Sequence, residues 1–176
     1  MELKLTDRDV WLSTLVFGGI GILLTLPLLS LYSDGRFMNA ARSTALSSAA
    51  FWGIMSLVLM GRFWDIYYHY IYPDWMRSIR LSNVLLYAAI GLGMWKLAFI
   101  FENQLVLAFC VFGGLEGVAE HIFAVFGLHV LEKVPFLRGL KPFPVILFSF
   151  FEYIVYWSVV AWMALGLAYL LPLLTD

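Results

Sequence analysis

Seven ionisable side chains lie within or at the edges of stretches that are otherwise apolar: Arg62, Asp65, His69, Glu116, Glu120, His121 and Glu152. An acid or base near the centre of a membrane-spanning helix costs about 2.5 to 3.5 kcal/mol on insertion scales, so these groups should face one another rather than lipid. Their spacing shows how. Arg62, Asp65 and His69 stand at i, i+3 and i+7 and form one helical stripe, and Glu116 and Glu120 at i, i+4 form a second. His121 is turned about 100° from Glu120 and flanks the same cavity from the neighbouring helix face. Ser149, Glu152 and Tyr156 share a third face. Gly113 and Gly117 fall on the Glu116/Glu120 stripe, a small-xxx-small pattern that lets a partner helix approach closely.

Carboxylates with neutral imidazoles are the ligand set of iron, manganese, zinc or copper, and helical bundles hold di-iron sites with inward glutamates and histidines. Asp65, His69, Glu116, Glu120, His121 and Glu152 supply six ligands, enough for one or two transition-metal ions, with iron favoured. Arg62 would orient a carboxylate from behind. Glu116, Glu152 and Arg62 are then the catalytic candidates, and the expected function is a membrane-embedded oxidoreductase acting on a lipid-soluble substrate. The run Glu-x-x-x-Glu-His differs from the ferritin-like pairing of Glu with a His three residues on. With three histidines in all, the chain lacks the multi-histidine boxes of membrane desaturases. Within "WDIYYH", residues 64 to 69, Asp65 and His69 resemble the Asp-x-x-x-His ligand step in the membrane copper subunit of particulate methane and ammonia monooxygenases. That likeness is confined to two residues and does not extend to the family's second downstream histidine.

The same side chains also serve without a metal. Carboxyl groups in an apolar pocket divide into proton donor and proton acceptor, a pair able to protonate an alkene and stabilise the carbocation. Small membrane enzymes of the sterol-isomerase type use intramembrane His and Glu with nearby aromatics in this way. Trp64, Tyr156 and Trp157 offer cation-π faces. A third reading is a proton or cation relay gated by Arg62 beside Asp65, although the outer halves of the helices hold few polar groups apart from Lys96 and Glu102. In the non-catalytic reading the chain is a subunit or anchor of a larger complex, and Arg62 with Asp65 is an ion pair that holds the bundle together. "FGGIG", residues 17 to 21, leaves room for a second copy or a partner membrane subunit. Ser149 has no His-Asp partner at a recognisable spacing, which argues against a serine hydrolase. His129 reads as an interfacial residue.

The elements that must position these groups follow from composition. Of 176 residues, 62% are hydrophobic and 13% charged, with a mean hydropathy of +0.88, against roughly 25% charged in soluble domains. The chain is expected to be an all-α, multi-pass integral membrane protein, residues 1 to 176 forming one domain. Five apolar segments predict five transmembrane helices: about Val10 to Tyr32, Thr44 to Tyr72, Leu81 to Phe101, Leu105 to Val130 and Val145 to Leu174. "TDRD" offers N-cap oxygens at Thr6, Asp7 and Asp9, and the first helix reads as retained. Tyr72-Pro73 ends the second helix, "FENQ" at 101 to 104 predicts a tight hairpin, and "PFLRGLKPFP" at 135 to 144 cannot be helical throughout.

Lys4, Arg8, Arg77, Arg80, Lys133, Arg138 and Lys141 lie on one side of this topology, and Arg36 and Arg42 on the other, which places the N-terminus in the cytoplasm. The polar groups then share one slab in the cytoplasmic half of the bilayer. A net charge of -1 and the absence of any Lys/Arg cluster set nucleic-acid binding aside. Cys110, the single cysteine, reads as a small core residue.

Overall fold

The structure is a computed structural model that describes residues 4–32, 41–54, 69–71, 79–100 and 105–173. It is helical, with no strand among the described residues. Helix α1 (Asp7–Tyr32) starts at a reciprocal cap: Asp9 N–H donates to Thr6 Oγ1 at 3.3 Å and Thr6 N–H to Asp9 Oδ2 at 2.8 Å. Each side chain satisfies an amide that the first turn leaves without a helical partner. Three more long elements are α2 (Ala41–Ile54), α3 (Ile79–Phe99) and α4 (Leu105–Ile122).

Where the apolar pattern predicts α4 to run on to Val130, the α-helix instead ends at Ile122. It passes into a π turn, Phe123–Gly127, closed by Leu128 N–H donating to Phe123 O at 3.0 Å. His129 follows in the left-handed region, φ 56° and ψ 42°. A left-handed residue cannot continue an α-helix, and hydropathy does not register it. A four-residue helix, α5 (Val130–Lys133), and a 3₁₀ turn, Pro135–Leu137, make up the connector, so the proline-rich run is broken as expected. The last helix, α6 (Pro142–Leu173), starts three residues earlier than the apolar segment. Pro142 and Pro144 both fall in its first turn, where a missing N–H costs nothing.

Helix α6 is the centre of the packing. It lies against α4, α1 and α2, with α3 bridging α2 and α4. Trp157, Val160 and Ala164 of α6 are fully buried. The approach to α4 is made possible by glycine: a Cβ on Gly113 would lie 2.2 Å from Trp157 Cδ1, and one on Gly117 would lie 2.7 Å from Ser149 O. Two of the "FGGIG" glycines meet the chain's own last helix, Gly18 against Phe151 and Gly21 against Ile154, while none of the described residues lies within 4 Å of a Cβ placed on Gly19.

A second, smaller core of Val10, Val125, Val130, Leu131, Val134 and Leu140 ties the connector to the start of α1. Leu5 N–H donates to Phe136 O and Lys141 N–H to Asp7 Oδ1, each at 3.0 Å. Among the described residues three helical segments are long and apolar enough to cross a membrane, Asp7–Leu29, Cys110–Gly127 and Pro142–Leu167, and Val84–Leu97 is a shorter apolar segment. Much of α1 shows apolar side chains outward, among them Leu12, Leu15, Ile22 and Leu23.

Candidate functional site

Helices α3, α4 and α6 bring a set of polar side chains together at the level of Glu116 to His121. Glu120 is the hub. Its carboxylate accepts from Tyr87 of α3 at 3.0 and 3.2 Å and from Tyr153 of α6 at 2.5 Å, and the two phenol oxygens are 2.9 Å apart. Two hydroxyl protons thus serve three short oxygen contacts, so the protons can be redistributed without moving a heavy atom.

One turn back, Glu116 Oε2 accepts from the indole N–H of Trp157 at 2.6 Å. Its other oxygen, Oε1, is buried and accepts no hydrogen bond among the described residues. A buried polar atom of this kind costs about 1–3 kcal/mol and is retained where something else uses it. The glycines explain how Trp157 and Tyr153 reach these carboxyls: without side chains at 113 and 117, their rings lie directly against the α4 backbone beside the glutamates.

Aromatic rings enclose the pair. Tyr156 packs on Trp157 with ring centroids 4.8 Å apart, and Tyr87 stacks on Trp52 at 4.5 Å. Ser48 of α2 donates to Tyr87 O at 2.9 Å, so the 2.7 Å contact between Ser48 Oγ and Tyr156 is a bond donated by the tyrosine.

On the other face of α4, His121 Nδ1 lies 3.0 Å from Gly117 O, and a carbonyl can only accept. Nδ1 therefore carries the proton, and Nε2 points toward Glu152 Oε2 at 3.8 Å. Among the described residues no lysine or arginine pairs with Glu116, Glu120 or Glu152. Glu152 and His121 keep 39% and 27% of their side-chain surface exposed, so this edge of the site is open while the Glu120 end is closed.

Of the residues singled out from sequence, Glu116, Glu120, His121 and Glu152 are gathered here. Arg62 and Asp65 lie outside the described residues. His69 is exposed, its ring against Tyr70 at a centroid distance of 5.5 Å. No group of three or more His, Cys, Asp or Glu among the described residues is placed to share a metal ion. Ser149 donates to Ile146 O at 2.7 Å and is occupied with its own helix. His129 stands apart from the site, 3.8 Å from Glu132.

Sequence reasoning missed Tyr87, Tyr153 and Ser48. The available signal was position: Tyr153 is next to Glu152, and Tyr156 and Trp157 follow one turn on. Comparison with known proteins adds no second line of argument, since no family model, curated protein or solved structure matches the chain.

Proposed function

We propose that this chain is an integral membrane enzyme, a five-span bundle with a cytoplasmic N-terminus, that performs acid–base chemistry on a lipid-soluble substrate, as an isomerase or hydratase of a sterol- or isoprenoid-like lipid. The observation that carries this reading is the asymmetry of the glutamate pair. Glu120 is held by two tyrosine hydroxyls, whereas Glu116 has one oxygen bonded to Trp157 and the other without a hydrogen-bond donor among the described residues. Two carboxyls in different surroundings take different roles. Glu116 in its acid form delivers a proton to one alkene carbon; the π bond breaks and a carbocation forms beside the Tyr156 and Trp157 rings. Glu120, acting through Tyr153, removes a proton from the adjacent carbon and the double bond re-forms one position over. Glu120 then releases that proton to solvent and Glu116 takes up another from solvent, so each turnover leaves one solvent hydrogen on the product.

Solvent isotope uptake tests this. Purified protein in D2O, incubated with a panel of sterol and isoprenoid alkenes, is expected to place deuterium at the allylic carbon. Glu116→Gln is expected to slow that uptake by about 10²- to 10⁴-fold, the usual share of a general acid. No uptake by the wild-type protein across the panel would sink the reading.

A second reading is favoured by His121. An imidazole that donates Nδ1–H to a backbone carbonyl and turns Nε2 toward a carboxylate is oriented as metal-binding histidines are. With Glu152, and with Asp65 and His69 drawn in, it would hold a transition-metal ion, iron before copper, zinc or manganese, and the enzyme would be an oxidoreductase. Elemental analysis decides between the two: stoichiometric metal in the wild type that disappears in His121→Ala favours the metal centre.

A further inference from the structure

We infer that the groove between the end of α4 and the start of α6 binds the phosphate-bearing headgroup of a phospholipid. The groove is an open cavity of about 560 Å³, within the usual range for small-molecule sites, roughly 300–1,000 Å³. Its floor is apolar, with Val125, Phe126, Leu131 and Pro142, and its polar wall holds His129, Glu132 and Arg138.

Place and charge identify the occupant. The apolar span of α4 ends at Gly127 and that of α6 begins at Pro142, so a cavity lined from 125 to 142 opens where hydrocarbon gives way to headgroups. Arg138 donates from Nε and Nη2 to the Glu132 carbonyl at 3.2 and 3.1 Å, which fixes the guanidinium plane while forming no ion pair among the described residues. With its Nε/Nη2 edge committed to that carbonyl, the guanidinium keeps its Nη1 edge for phosphate oxygens. Lys133 is exposed on the same connector and adds positive charge beside the groove, while Lys141 is paired with Asp7 at 3.9 Å. An acyl chain leaving this headgroup would run down the Phe126 side, whose ring is 58% exposed.

The backbone points to the same place. The π turn, the non-glycine left-handed residue His129 and the left-handed Gly139 (φ 96°) all border this one cavity. Such conformations are kept where they shape a site. Pro142 is ten residues from Glu152, about 15 Å along α6, so the groove is distinct from the carboxylate pair and does not depend on its reading.

The test uses the full chain purified in neutral detergent, with native mass spectrometry to measure retained lipid. The probes are phosphatidylglycerol, a diacylglycerol with the same tails, and glycerol phosphate. Phosphatidylglycerol is expected to be retained and the diacylglycerol to be lost. Arg138→Gln is expected to weaken retention about tenfold. His129→Gly relieves the left-handed strain, so it is expected to keep thermal stability at or above wild type while still lowering retention. Equal binding of the diacylglycerol, or unchanged retention in both variants, would overturn the proposal. Displacement by glycerol phosphate at the same concentration as the lipid would also overturn it, in favour of a soluble phosphate ligand.

Discussion

Glu120 shows what a carboxylate inside an apolar bundle requires. Two phenols and their mutual contact replace the water it has lost, and because Tyr87 comes from α3 and Tyr153 from α6, the same bonds fasten two helices to α4. Groups that share one acceptor do not contribute independently. Tyr87→Phe and Tyr153→Phe are each expected to cost about 1–3 kcal/mol, since each removes a bond to the carboxylate. The double variant is expected to depart from their sum by about 0.5–3 kcal/mol. Unfolding in mild detergent with all four members of the cycle measures this, and strict additivity would mean that the two hydroxyls act alone. At this scale the acids and His121 could be read from sequence, because an ionisable group in a greasy segment stands out by its cost. The tyrosines could not, because Tyr in a membrane helix is ordinary until its partner is known. Ser48 was hidden for the same reason, since a small hydroxyl in α2 has several ways to satisfy itself.

Among the elements, the decisive feature is the glycine seam of α4. Gly113 and Gly117 were recognisable as a close-approach pattern, and they face α6. Gly114 belongs to the seam too, since a Cβ there would lie 2.6 Å from Phe150 Cε2. A methyl group at position 113 would collide with Trp157 and push its indole off Glu116. Gly113→Ala is therefore expected to lower stability by about 1–3 kcal/mol through overpacking, whereas Gly93→Ala, with nothing among the described residues within 4 Å of the new carbon, should be neutral or slightly stabilising. Thermal unfolding of the two variants side by side checks this, and equal behaviour would mean that α4 and α6 do not pack as tightly as described. The helix ends divide in the same way. Thr6 and Asp9 announce the start of α1, and the prolines announce the break before α6. The π turn and the left-handed His129 have no local sequence signal, because they arise from fitting Val125, Val130 and Leu131 into the small core beneath the connector.

For the whole molecule, the number of helices that cross the bilayer decides where the carboxylate site sits. Composition points to a membrane, and among the described residues three segments satisfy length and hydropathy without help. In α3 the apolar segment Val84–Leu97 is shorter than a full crossing, and much of the second predicted helix lies outside the described residues. The bonds from Leu5 to Phe136 and from Lys141 to Asp7 place the start of α1 and the connector on one side. That fact does not count the spans: a chain crossing five times and one crossing only with α1, α4 and α6 both return the connector to the N-terminal side. Residue 77 separates them. In the five-span arrangement Arg77 shares the side of Lys141, and in the three-span arrangement it does not need to. The native thiol does not interfere, since Cys110 is 3% exposed and its sulfur lies 3.6 Å from Ser158 Oγ in the core. Single cysteines at positions 36, 77 and 141, introduced in a Cys110→Ser background, are then probed with a membrane-impermeant maleimide on intact cells and on inverted vesicles. Positions 77 and 141 are expected to label only from the cytoplasmic face and position 36 only from the outside. Outside labelling at 77 with cytoplasmic labelling at 141 would remove α2 and α3 from the set of full crossings. It would also move the Tyr87 contact to Glu120 from mid-bundle to a helix hairpin that enters and leaves by the same face.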